Sequence, residues 1–179
     1  PGEPPLLQDA SLKISPGEAI AITGRNGVGK STLLKLLSGY LHPDTGSVMI
    51  DGIDIDAYDL SSLRRQIAYL PQYGTLFEGS ILENLTLYRE GEAVGHAIEL
   101  SRRLGLAATI SKLPEGLDTP VNGAALDSLP GGVKKKITMV RSLVGQHGML
   151  LFDDANANLD IRNDAKLLEL LKALKGQMT

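Results

Sequence analysis

An α/β fold, with a parallel sheet core and an inserted helical lobe, is what this sequence predicts, on three observations. A glycine-rich stretch, "GRNGVGKST" at residues 24–32, joins an apolar alternating run to a leucine-spaced run. A second apolar run, "MLLF" at 149–152, ends on two adjacent carboxylates, Asp153 and Asp154. Strand–helix alternation occupies both ends of the chain, with helical texture between them.

Taken in order, "EAIAITG" (18–24) reads as a strand ending in glycine. "STLLKLLSG" (31–39) places leucines at 33, 34, 36 and 37 and stops at Gly39, a short helix with a C-terminal glycine. "GSVMIDG" (46–52) is a strand between glycines, one arm of a hairpin, and "IAYLPQ" (67–72) is a strand closed by Pro71. From about residue 73 the texture turns helical. "GEAVGHAIELSRRLGL" has Val94, Ile98 and 104–106 on its apolar side, and "VKKKITMVRSLVGQ" has Ile137, Val140, Leu143 and Val144 on one face. Between them "LPEGLDTPVNGAALDSLPGG" is loop-rich. Strand "MLLFD" follows, then helix "DAKLLELLKALKG" ending at Gly176. The expected division is a discontinuous lobe of 1–72 and 148–179 around a helical lobe of 73–147.

Bulk properties narrow the function. The chain has 179 residues, enough for one medium domain or one domain with an inserted lobe. A hydrophobic content of 42% supports a sizeable core. The net charge of −3 argues against nucleic acid as a partner. The absence of cysteine excludes disulfides and cysteine metal sites. No apolar run approaches the ~18 residues of a membrane span. The opening "PGEPPLLQ", without an initiator Met, reads as the interior of a longer polypeptide.

"GRNGVGKST" fits G-x-x-x-x-G-K-[ST] at a strand-to-helix junction, the place where that pattern acts. Gly24, Gly27 and Gly29, with Arg25, Asn26 and Val28 between them, let backbone N–H groups turn inward around phosphate oxygens. The helix N-terminus adds positive potential. Lys30 reaches the β- and γ-phosphates, and Ser31, followed by Thr32, offers a hydroxyl to Mg²⁺. The other half of such a site is a strand-end aspartate that orients Mg²⁺, which is Asp153; alone it would read equally well as a helix-capping residue.

With these motifs in order, the chain resembles the nucleotide-binding domain of ATP-binding cassette transporters, over nearly its whole length. The resemblance implies a P-loop NTPase fold with ATP and Mg²⁺ as cofactors. It makes "YLPQ" the Gln loop, with Gln72 touching Mg²⁺ and the attacking water. It makes "LPGGV" (Leu129, Pro130, Gly131, Gly132, Val133) the signature that caps the nucleotide of a second nucleotide-binding domain. "ANLD" (157–160) stands for the usual S-A-L-D. "LFEGSILENL" (76–85) and "DLSSLRRQIAYLPQ" are similar to exporter segments, which implies a transmembrane-domain partner and a place on the cytoplasmic face of the inner membrane. Residues 77–84 are then expected to be exposed, for docking of that partner.

The chain departs from the family at named positions. Where the family has Glu after the strand-end Asp, this sequence has Asp154. Its carboxylate is one methylene shorter, and general-base losses run about 10²- to 10⁴-fold. The signature's Ser is Pro130, which has no hydroxyl and no N–H, and its Gln is Val133. The lysines at 134–136 read first as a solvated face. The family's Glu-containing loop before the signature is "VNGAAL" here. The adenine-stacking aromatic and the switch His have no counterpart in these residues, so a piece lacking the first strand and the end of the sheet is expected. His42, His96 and His147 are out of place for the switch and are expected at the surface. Two readings remain: an exporter ATPase with weak hydrolysis, or a degenerate module that binds ATP and dimerises without significant turnover.

Overall fold

Glycine decides where the first helix begins and ends. In the computed structural model, which describes residues 6–72, 74–123, 129–145, 147–153 and 161–179 (161–164 by backbone alone), α1 spans Lys30–Leu37 with Gly29 as its N-cap. Gly39 follows at φ +65°, and a Cβ there would meet a Leu60 methyl at 3.1 Å, so neither the backbone nor the packing favours a side chain. Next comes the hairpin of β1 (Met49–Ile50) and β2 (Ile53–Asp54), antiparallel, with Met49 opposite Asp54. Its turn residues, Asp51 at φ +52° and Gly52 at φ +76°, are the Asp-Gly pair that a tight hairpin demands.

A 3₁₀ turn at Ile55–Ala57 and helix α2 (Leu60–Arg65), capped by the Asp59 carboxylate on the Ser62 N–H, lead into β3 (Ile67–Leu70). β3 is a hydrogen-bonded neighbour of β6 (Met149–Phe152). The two lie far apart in sequence, as strands joined by a crossover do. Leu34, Ile55, Leu63, Ile67 and Leu151 form one buried cluster beneath these elements. The chain end lies beside β6: the Leu150 N–H donates to the Thr179 carbonyl (2.7 Å) and the Thr179 N–H to the Gly148 carbonyl (3.0 Å).

The remaining elements are mostly helical. β4 (Gly79–Ser80) pairs antiparallel with β5 (Pro120–Val121). α3 (Ile81–Thr86), α4 (Glu92–Arg103) and α6 (Gly131–Leu143) pack on one another, with the short α5 at Ala107–Ile110. Ile81, Leu85, Ala97, Leu100, Ile137 and Val140 are buried there. Removing such a side chain, as in Ile137→Ala, costs about 2–5 kcal/mol in comparable cores. α7 (Ile161–Leu174) closes the sequence of elements. By packing, the chain falls into two units: Pro1–Tyr69, His147–Asp153 and Lys175–Thr179 in one, Leu70–Gln146 and Asp154–Leu174 in the other.

Two sequence expectations need correction. Residues 18–24 belong to no strand among the described residues, and Ile20 and Ile22 are 41% and 36% exposed. Alternation makes a segment suitable for a sheet, but a strand exists only where a neighbour completes its ladder. In α4 the inward apolar residues are Ala97 and Leu100, with Leu104 buried just past its end as expected, while Ile98 faces out at 47% exposure.

Candidate functional site

The phosphate-loop stretch is built on backbone conformations that only glycine takes easily. Gly27 sits at φ +82° and Gly29 at φ +100°. A Cβ on Gly29 would meet Leu6 and Leu7 at 3.2 and 3.1 Å, whereas one on Gly27 would meet nothing within 4 Å. Arg25, Asn26 and Val28 are exposed. The Lys30 ammonium folds back on its own loop, donating to the Gly24 and Arg25 carbonyls at 3.0 Å each. It remains partly exposed, so an incoming phosphate can take over those hydrogen bonds. Thr32 lies half-buried one residue beyond Ser31.

Ser31 and Asp153 meet although 122 residues separate them: the Ser31 hydroxyl donates to Asp153 Oδ1 at 2.8 Å. α1 supplies the first and the end of β6 the second. The Tyr69 hydroxyl, from β3, donates to Asp153 Oδ2 at 3.2 Å. Burial, and then the neighbouring Asp153 carboxylate, push the Tyr69 phenol up to about 12, so it stays a donor at neutral pH. Tyr40 lies against Tyr69 (centroids 6.2 Å apart), and the Arg64 guanidinium lies 4.4 Å over the Tyr40 ring. A serine hydroxyl beside a carboxylate at a helix N-terminus is a hard oxygen set, the kind Mg²⁺ accepts while keeping its own waters. The donors present therefore fit Mg²⁺ and a phosphate chain.

In the other unit the signature stretch opens α6. Pro130 is its N-cap (φ −56°, ψ 142°) and gives it no side-chain cap. The Val133 and Lys134 N–H groups donate to the Pro130 carbonyl at 2.9 and 3.1 Å. The N–H groups of Gly131 and Gly132 have no acceptor inside the helix, as expected of a first turn. Leu129 is half-buried beside them.

The lysine run is not a solvated face. Lys135 is 3% exposed and Lys136 is buried too. The Lys135 ammonium donates to the Pro71 and Gln72 carbonyls at 2.7 and 2.5 Å. A charged run in sequence does not say which member reaches a carbonyl, and a lysine stem buries readily once its head finds acceptors.

Residues 77–84 are not uniformly exposed either. Ile81 and Asn84 are fully buried. Asn84 Oδ1 accepts from the Phe77 N–H (3.0 Å) and from Arg141 (2.7 Å), and its Nδ2 donates to the Phe77 and Ser80 carbonyls (2.9 and 3.0 Å). Arg141 also donates to the Asn84 carbonyl and, at 2.7 Å, to the Thr75 carbonyl, with its guanidinium 4.6 Å over the Phe77 ring. Ser80 and Glu83 form a reciprocal capping box on α3, a pattern visible in the sequence as S-x-x-E. Glu78 remains exposed.

Asp154 and the ANLD loop lie outside the described residues. His42 and His96 are exposed, His42 pairing with Asp56 at 2.7 Å.

A family model described as "ABC transporter" matches residues 7–157. The chain belongs to the ABC transporter family. The cyclolysin secretion/processing ATP-binding protein CyaB of Bordetella pertussis is 38% identical over 160 residues, covering 88% of this chain and 22% of that protein. The alpha-hemolysin translocation ATP-binding protein HlyB of Escherichia coli is 36% identical over 178 residues, covering 99% of this chain and 25% of that protein. A solved bacterial Atm1-family ABC exporter with ATP bound superimposes with a TM-score of 0.84 at 34% identity, over 93% of this chain and 29% of that one. This ABC transporter domain therefore has the P-loop NTPase fold of exporter ATP-binding proteins and spans less than a third of the length of these relatives. ATP binding, usually with Mg²⁺, goes with the family. Among the described residues no helix is long and apolar enough to cross a membrane.

Proposed function

We propose that the chain is the nucleotide-binding domain of an exporter: it binds Mg-ATP, pairs with a second such domain, and couples the nucleotide cycle to a transmembrane domain at the cytoplasmic face of the inner membrane. Residues 24–32 hold the phosphates, Lys30 neutralises the β- and γ-oxygens, and Ser31 with Asp153 and Gln72 attends the metal. The catalytic lobe in this reading is 1–72 with 148–179, and the signature lobe is 73–147. The observation that supports it most is the 2.8 Å contact between Ser31 and Asp153, which joins the two halves of a Mg-phosphate site.

Hydrolysis in this reading is slow. Asp154 is a shortened general base, and Pro130 removes a hydroxyl and an N–H from the cap over the partner's γ-phosphate. The test of the binding site is calorimetry with Mg-ATP. Lys30→Ala is expected to weaken binding at least ~100-fold, about 2.7 kcal/mol, by removing the charge that meets the phosphates. Because Lys30 is partly exposed, the thermal midpoint should hardly move. Unchanged affinity in Lys30→Ala would remove residues 24–32 from the site.

A further inference from the structure

Residues 71, 72, 74 and 75 touch α6 at successive turns. The Lys135 ammonium holds the Pro71 and Gln72 carbonyls. At Gly74 the backbone approaches so closely that a Cβ would come within 2.9 Å of the Thr138 hydroxyl and 3.0 Å of the Lys134 carbonyl. Arg141 donates to the Thr75 carbonyl at 2.7 Å. Positions 134/135, 138 and 141 are spaced three and four apart, so they lie on one stripe of the helix. Each contact is to backbone, so it holds the path of the segment whatever its side chains do.

We propose that Lys135 is a positioning residue that fastens the Gln72 segment to the first turns of α6, so that the Gln loop and the signature of the same chain move as one body. Pro71 and Gln72 present two carbonyls side by side, and an ammonium with three N–H donors can satisfy both, whereas an apolar side chain of the same length satisfies neither. Gly131 and Gly132, with their N–H groups directed out of the helix start, lie one turn before Lys135. A displacement of Gln72 is thus passed to the signature turn through one charged side chain and one rigid helix. The inference rests on the proposed role of Gln72 at the nucleotide, and Lys135 acts in it only through Gln72.

Amide hydrogen exchange on the intact protein tests this, nucleotide-free and with Mg²⁺ and a non-hydrolysable ATP analogue. Three variants serve: Lys135→Met, which keeps the length but not the donors; Lys135→Arg, which restores donors; and Gly74→Ala, which pushes the segment off the helix. In Lys135→Met and Gly74→Ala the Gln72 amide should exchange ~10-fold faster or more, a loss of local opening free energy of about 1.4 kcal/mol, while the amides of Ile137 and Val140 hold. Lys135→Arg should exchange like the unmodified protein. In steady-state ATPase assays Lys135→Met should lower kcat with KM for ATP unchanged, since the phosphate loop is untouched. Unchanged exchange at Gln72 in Lys135→Met, or Lys135→Arg as fast as Lys135→Met, would overturn the tie. Faster exchange throughout α6 would make Lys135 a packing residue, which overturns it too. If the analogue fails to slow exchange at Lys30 and Ser31 in the unmodified protein, the nucleotide site itself falls, and with it the purpose assigned to the tie.

Discussion

Lys30 and Lys135 do the same chemistry in two different solvents. Each stands in the first two turns of a helix, α1 or α6, and each gives its ammonium to two adjacent backbone carbonyls of a preceding loop. Lys30 does so partly exposed, at 3.0 Å, to carbonyls that water can also serve. Lys135 does so almost fully buried, at 2.7 and 2.5 Å, where its loss removes a charged donor from both carbonyls. A hydrogen bond from an exposed ammonium is exchangeable with water, and one from a buried ammonium is not, because only the second carries a full desolvation cost when broken. The helix starts share the lack of a side-chain cap: α1 opens on Gly29, with Ser31 aimed at a carboxylate, and α6 opens on Pro130.

The largest expected effect comes from restoring the longer base and the signature serine together. Asp154→Glu combined with Pro130→Ser should raise steady-state ATPase of the intact protein by ~10²-fold or more, toward the size of a general-base contribution. If the protein pairs with itself, both defects meet in each site and the two changes should couple, the double variant exceeding the product of the singles. In a pair with a different domain they should act independently. A rate unmoved by Asp154→Glu but raised by Pro130→Ser would mean that the base does not limit turnover.

A smaller effect should follow at the buried amide. Asn84→Asp keeps the shape but replaces two donors with an acceptor opposite the Phe77 and Ser80 carbonyls. It should destabilise the fold by about 1–3 kcal/mol in urea unfolding, partly offset by the charge it offers Arg141. Asn84→Ala and Arg141→Ala combined should cost less than the sum of the two, since they share one network. Strict additivity would show that the two residues stabilise the protein separately. Smaller still, Pro130→Ser alone should stabilise α6 by about 0.5–2 kcal/mol, by supplying a hydroxyl to the N–H groups of the first turn. A fall in the thermal midpoint would mean that the rigid φ of Pro130 matters more than a cap.

The glycine turn that opens α1 was legible in the sequence because its geometry is local. Glycines at 27 and 29 free the backbone, and the residues that follow set the helix, so spacing alone carries the information. The strand that ends at Asp153 was legible for a related reason, since an apolar run ending in a carboxylate is a short-range pattern. The burial of Lys135 was not legible, because its acceptors lie at 71 and 72, more than sixty residues away, and nothing in "VKKK" distinguishes the middle lysine. Asn84 was hidden by its polarity, since four hydrogen bonds make an amide as suitable inside as a leucine. The stretch at 18–24 was read as a strand because alternation reports what a segment could pair with, not whether a ladder is present.

The openness around Gly27 has a chemical cost. Asn26 and Gly27 form an exposed Asn-Gly step with no atom within 4 Å of where a Cβ would stand. In such a step the Gly27 nitrogen can attack the Asn26 side-chain carbonyl, expelling ammonia and closing a cyclic imide. Water then opens the imide to aspartate or isoaspartate. In the proposed reading, the freedom that would let this backbone turn around a phosphate also leaves it prone to ageing, and the product is a carboxylate where an anion would bind. Stored protein should lose ATP affinity in step with the conversion of Asn26 from amide to acid seen by peptide mass spectrometry. Affinity that persists after conversion would show that residue 26 faces away from the phosphates. Asn84, whose amide is spent on four partners inside the fold, should outlast it.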